Sequence, residues 1–164
     1  MIEESDINSI LVTGVTGYVG GRLVPRLLQA GYKVRVLVRG SATRLDGRAW
    51  KDQVEIAIGD VLSPNTLTAA MQGIDAAYYL IHSMGGHDEF SKRDIKAAEN
   101  FATAAAAAGV KNIIYLGGLG DATSDLSEHL RSRQQTGDAL RQYGIPVTEF
   151  RAGMVVGSGL GFCT

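Results

Sequence analysis

Four glycines fall within eight residues in "GVTGYVGG", positions 14–21, directly after an apolar run and directly before a leucine-rich one. Backbone this bare suits a strand-to-helix turn, where main-chain N–H groups and the positive end of a helix meet an anion. Gly14, Gly17 and Gly20 form G-x-x-G-x-x-G. In that pattern Gly14 permits the tight turn, Gly17 lets a pyrophosphate approach the backbone without a Cβ, and Gly20 lets the helix pack close to the sheet. Thr16, Tyr18 and Val19 lie between them and belong to the same predicted binding loop. The bland alternative is that the glycines serve packing alone. A second feature is charge: no Asp or Glu occurs between Asp6 and Asp46, and the second apolar run ends in Arg39, followed by Ser41 and Arg44. A dinucleotide-binding turn is usually followed, about 20 residues on, by an acid that holds a ribose 2′-OH or by an arginine that accommodates a 2′-phosphate. Arg39 and Arg44 are suited to fork onto a phosphate that a carboxylate would repel, with Ser41 as a hydroxyl donor. NADP(H) is therefore expected over NAD(H), and an ordinary solvated basic loop is the competing reading.

Such a loop needs a strand before it and a helix after it, and the rest of the chain supplies the pattern. Strands are predicted at 9–14, 33–39, 54–59, 76–82, 112–118 and 146–152, alternating with segments of helical spacing. Tyr18 to Ala30 carries Val19, Leu23 and Leu27 and stops at Gly31. Glu89 to Ala108 carries Ile95, Ala98, Phe101, Ala102 and Ala105 on one face and stops at Gly109. Ser63 is a predicted N-cap with Pro64 at the first helical position, and a last helix runs within 126–143. Pro25 lies inside the first helix, where a kink is expected, softened because the carbonyl it crowds belongs to Gly21. The alternation implies an α/β fold, a doubly wound parallel sheet of six strands with helices on both faces.

The chain resembles the short-chain dehydrogenase/reductase superfamily, in particular its extended and atypical branch with NmrA-like and sugar-nucleotide-epimerase-like members. The resemblance is carried by "VTGVTGYVGGRL" (12–23), "VRVLVR" (34–39), "GDV" (59–61), "YYLIHSM" (78–84), "AAENFATAAAAAGVKNIIYLGGLG" (97–120) and "PVTEFRAGMVVGSG" (146–159). It implies an NAD(P)-binding Rossmann-like domain over residues 1–159, with the nicotinamide over the ends of the fourth and fifth strands. By the same resemblance Asp60 and Val61 border the adenine, Asp60 accepting from its amino group, though Asp60 equally suits a cap for the turn before Ser63. Ile81, His82 and Ser83 are implied beside the cofactor ribose. Extended members continue into a substrate domain, whereas only residues 160–164 follow here; truncation is the favoured expectation over completion of the pocket by a partner. Relatives often dimerise through the helices corresponding to 89–108 and 126–143, but the alanine-rich face suits packing on the sheet just as well.

Catalysis is less legible. Active members use a tyrosine with a lysine four residues later, the ammonium lowering the phenol pKa for proton transfer. None of the six tyrosines here has that lysine. His129 and Arg133 stand at the same spacing on the last helix, where His129 suits an acid and Arg133 a group that steadies the cofactor; an exposed helical pair is the plainer reading. The catalytic residues are therefore unassigned. Two function classes remain: an oxidoreductase or sugar-nucleotide-modifying enzyme, and a dinucleotide-binding redox sensor or assembly factor without turnover.

Totals narrow the partners. The 164 residues suffice for one core, and 16 basic against 17 acidic residues suggest no nucleic-acid surface. Cys163 alone cannot form an internal disulfide, no apolar stretch approaches a membrane span, and the histidines 82, 87 and 129 show no metal-ligand spacing. A cytoplasmic protein that takes a dinucleotide and an unidentified small-molecule substrate, with neither nucleic acid nor membrane as partner, is the expectation.

Overall fold

The computed structural model describes residues 7–82, 88–119, 128–153, 155 and 157. Ser83 and His87, the side chain of His129 and the tail 160–164 lie outside the described residues. Six strands form one sheet: β1 (Ser9–Val12), β2 (Lys33–Val38), β3 (Glu55–Ile58), β4 (Ala76–Tyr79), β5 (Asn112–Gly118) and β6 (Val147–Ala152). Every pairing is parallel, and the spatial order is β3-β2-β1-β4-β5-β6. Four helices connect them: α1 (Tyr18–Gln29), α2 (Pro64–Met71), α3 (Asp88–Ala108) and α4 (Glu128–Arg141).

Side-chain alternation along each strand splits the core between the two faces of the sheet. Ile10 and Val12 of β1, with Val34, Val36 and Val38 of β2, pack on Val24 and Leu27 of α1 and on Leu45 and Trp50. Leu11 and Leu37 point to the opposite face, where α2, α3 and α4 contribute Leu67, Met71, Phe101 and Leu140. The alanine-rich face of α3 lies within this second layer: Ala97, Ala98, Ala102 and Ala105 are buried inside the chain. Small side chains there let α3 sit close to β4 and β5, and Phe101 fills the remaining space edge-on to Tyr79, ring centroids 5.0 Å apart.

All six predicted strands and the four helices form where the periodicity puts them. The first four strands are shorter at their carboxyl ends, most of all β4, which stops at Tyr79 rather than residue 82. There the chain leaves the ladder to line the site. The link from β2 to β3 contains two short 3-10 turns, Ala42–Leu45 and Lys51–Gln53, instead of an α-helix; Gly40 and Gly47 interrupt any longer helical run. Helix α1 continues through Pro25. Proline has no N–H to give the carbonyl of Gly21. That buried carbonyl instead accepts from the indole Nε1 of Trp50 at 3.1 Å.

The opposite, amino-terminal end of the sheet is tied by Asp75. Its Oδ2 accepts from the N–H groups of Asn8 and Ser9, both at 2.9 Å, and Lys111 lies 3.4 Å from Oδ1. Those backbone donors first, and the ammonium after them, hold the carboxyl below its ordinary pKa.

Candidate functional site

In a doubly wound sheet the neighbours of β1 are connected in opposite directions, so a crevice opens beyond its carboxyl end. Two adjoining clefts occupy that position. One, about 490 Å³, lies over β1, β2 and β3; the other, about 380 Å³, lies over β4, β5 and β6. Gly14, Gly17, Leu80, Ile81 and His82 line both, so the two meet at the glycine loop. Thr13 fixes the meeting point. Fully buried, it donates its hydroxyl to the Tyr78 carbonyl at 2.9 Å and accepts from the Leu80 N–H at 3.0 Å, pinning β4 to β1 as the strands end.

The loop glycines divide by what requires them. Gly14 has φ +67°, and a Cβ on it would come within 2.6 Å of the Leu80 carbonyl oxygen. A Cβ on Gly20 would lie 2.5 Å from the Gly14 carbonyl oxygen. The close approach at Gly20 is thus between helix and loop backbone, rather than between helix and sheet as the motif suggests. A Cβ on Gly17 would meet only the Gly14 carbonyl oxygen, at 3.2 Å, so internal packing accounts for it least well. Gly17 is also the N-cap of α1, without a side-chain cap and without an acidic residue in the first turn. That leaves first-turn N–H groups suited to an external anion.

Around the first cleft the structure brings together Thr16, Arg39, Arg44, Asp60 and Val61 with the shared loop residues. Arg44 donates from Nη1 to the Arg39 carbonyl at 3.3 Å, which holds the two cations on one turn. Asp60 does cap its turn: Oδ1 accepts from the Leu62 N–H at 2.9 Å. It lines the cleft at the same time, so both readings of the residue apply. Val61 is fixed from behind by Asn100 of α3, whose buried amide donates to the Val61 carbonyl at 3.0 Å. Ser41 lines neither cleft; its hydroxyl accepts from the Thr43 N–H and starts the first 3-10 turn.

The second cleft takes Tyr18, Val19 and Gly20 from the loop and is otherwise walled by Leu116, Leu119, Leu130 and Val155, with Arg133 as its one charged side chain among the described residues besides any charge on His82. Arg133 donates from Nη2 to the Leu116 carbonyl, and its buried Nε has no hydrogen-bond partner among the described residues. Tyr115 donates its hydroxyl to the Arg133 carbonyl at 2.8 Å, fixing this turn of α4 against β5. Burial pushes the Tyr115 hydroxyl up to about 12 and that of Tyr79 higher still. Neither phenol is suited to proton transfer near neutrality. Among the described residues no group of three or more His, Cys, Asp or Glu is arranged to hold a metal, and no helix is long and apolar enough to cross a membrane.

Several contributors were not legible in the sequence. Leu80, Leu116, Leu119 and Leu130 read as strand and helix apolars, and only the carboxyl ends of β4 and β5 mark them as lining. Thr13 and Asn100 act through partners 65 and 39 residues away. Trp50 had one available signal: a proline inside a helix requires some outside donor for the carbonyl four residues back.

Comparison with known proteins agrees with the fold. The chain is 34% identical over 143 residues, 87% of its own length and 46% of the relative's, to a (4-alkanoyl-5-oxo-2,5-dihydrofuran-3-yl)methyl phosphate reductase of Streptomyces griseus. It superposes on the NADPH-dependent quinone oxidoreductase of Escherichia coli in complex with NADPH with a TM-score of 0.73 and 27% identity, covering 88% of this chain and 49% of that one. Superposition on the triphenylmethane reductase of a Citrobacter species complexed with NADP(H) gives a TM-score of 0.70 and 27% identity, with coverage of 87% and 48%. The chain thus spans about half the length of these relatives. The NmrA-like family model matches residues 6–162, nearly the whole sequence. The chain belongs to the NmrA-like family.

Proposed function

We propose that this chain is the NADP(H)-binding portion of an NmrA-like oxidoreductase. The observation that carries the reading is the meeting of two clefts at an uncapped, glycine-built helix start, with Arg39 and Arg44 in the lining of one of them. A dinucleotide has that layout: an adenosine half, a central pyrophosphate and a nicotinamide half. The pyrophosphate would lie against the N–H groups at the start of α1, the adenosine beside Asp60 and Val61, and a 2′-phosphate between Arg39 and Arg44. Ile81 and His82 would border the ribose on the other side. When bound, the nicotinamide supplies the hydride chemistry. The chain's own contribution is to hold the ring over β4 and β5 and to exclude water with leucine side chains.

Arg133 follows His129 at the spacing of the superfamily's tyrosine and lysine, and its place in the lining of the second cleft supports a role in steadying the cofactor. Arginine stays protonated, so it stabilises negative charge without delivering a proton. The apolar walls support a flat, apolar acceptor such as a quinone or an aldehyde over a keto-sugar. A cytoplasmic setting fits such a reductase. The reductase and oxidoreductase relatives support turnover over the alternative of a sensor that binds without reacting.

Parallel titrations with NADPH and NADH test the cofactor reading. NADPH is expected to bind more tightly, and Arg39→Asp to weaken NADPH by roughly 100-fold while sparing NADH. NADPH oxidation over a panel of quinones, aldehydes and keto-sugars tests the activity. Turnover supports the enzyme, and tight binding with none across the panel returns the sensor reading.

A further inference from the structure

The segment between β2 and β3 reaches back to the glycine loop at two points. Arg48 donates from Nη2 to the Thr16 carbonyl at 3.1 Å, within the loop itself. Two residues on, the buried Trp50 donates to the Gly21 carbonyl, which Pro25 has left without its helical partner. The two acceptors lie on either side of Gly17, the N-cap of α1, and Gly21 in turn donates its N–H to the Gly17 carbonyl at 3.1 Å. The guanidinium also lies against Gly21, where a Cβ would come within 2.6 Å of Nη1.

The segment that makes these contacts is itself held. Leu45 and Trp50 are buried in the same core layer as Val15 and Val24, and Arg48 donates its N–H to the Leu45 carbonyl at 3.0 Å while its own carbonyl accepts from Lys51 at the same distance. Lys51 pairs with Asp46 across the link. Arg48 therefore projects from a fixed turn onto a loop whose backbone N–H directions decide whether an anion is bound.

We propose that Arg48 is a positioning residue for the glycine loop, acting on the pyrophosphate common to both dinucleotides, whereas Arg39 and Arg44 act on the 2′-phosphate that distinguishes them. The proposal rests on the reading of the paired clefts as a dinucleotide site. It divides the arginines of one short segment by function: Arg39 and Arg44 set the preference between cofactors, and Arg48 sets the affinity for both.

The test is titration of the unaltered chain, Arg48→Met and Arg48→Lys with NADPH and with NADH, each read by the emission of Trp50, the chain's single tryptophan, with thermal unfolding in parallel. Arg48→Met is expected to weaken both cofactors by the same factor, about tenfold or more, leaving their ratio unchanged. Arg48→Lys keeps the charge and one donor and is expected to recover part of that loss for both. A lower unfolding temperature with unchanged affinities would make Arg48 merely structural and overturn the proposal. Loss confined to NADPH would overturn it too, by making Arg48 a 2′-phosphate ligand. If the unaltered chain binds neither cofactor, the reading of the site fails first and the proposal falls with it.

Discussion

On one side of β1 the trough is lined by Arg39, Arg44 and the half-buried Asp60; on the other it is walled by Leu116, Leu119, Leu130 and Val155 and reached by Arg133 from α4. Apart from the shared Leu80, Ile81 and His82, the first side is built from the glycine loop and the carboxyl ends of β2 and β3, all within the first 61 residues. The second is assembled from β4, β5, β6 and α4, which span nearly half of the chain. Charge and donor geometry are specified locally on the proposed adenosine side, so few residues would decide what binds. On the proposed nicotinamide side shape and dryness are specified by packing, and Arg133 from α4 supplies a cation. The same difference explains why the cofactor is easier to infer than the acceptor.

That comparison can be broken most decisively at its shared floor. Gly20→Val would drive a side chain into the Gly14 carbonyl and the Val15 backbone, at a cost of about 1–3 kcal/mol or more. Loss of NADPH and NADH binding together with a lower unfolding temperature is the expected result. Arg133→Met sharpens the contrast between the halves. It is expected to weaken NADPH by about tenfold while leaving 2′,5′-ADP, which carries the adenosine half alone, unaffected in calorimetry; equal losses for both ligands would show that the halves are not separable.

A smaller effect separates binding from scaffolding. Trp50→Phe leaves the Gly21 carbonyl without its donor and is expected to cost about 1–3 kcal/mol. In a Pro25→Ala background, where the helix regains an N–H for that carbonyl, the same change should cost less, and a double-mutant cycle by chemical denaturation reads the difference. The smallest effect lies farthest from either cleft. Because the folded Asp75 carboxyl titrates below 3.8, its contribution is complete above that pH and is lost as pH falls through the folded value. Asp75→Asn should lower stability by about 1 kcal/mol near neutrality and narrow its gap to the parent in acid, without changing cofactor affinity.

What could be read from the sequence follows the range of the interactions. The six strands and the glycine loop announce themselves through period, β-branched runs and turn chemistry within a dozen residues. The strand ends do not: β4 leaves the sheet at Leu80, where Thr13, just past the end of β1, takes its N–H. The 3-10 turns after β2 carry no period of their own, yet they place Arg48 and Trp50 on the loop. Asp60 shows a third case, in which two local readings compete and the folded chain satisfies both. The missing Tyr-x-x-x-Lys was plain from the start, but that Arg133 reaches the second cleft depends on how α4 packs on β5.

The most direct test of the central claim is calorimetric titration of the chain with NADPH and NADH side by side at one ionic strength. The paired clefts, the uncapped start of α1 and the arginines after β2 predict saturable, one-to-one binding of both, with NADPH tighter. Equal or tighter binding of NADH would contradict the assignment of Arg39 and Arg44, and binding of neither would contradict the site itself.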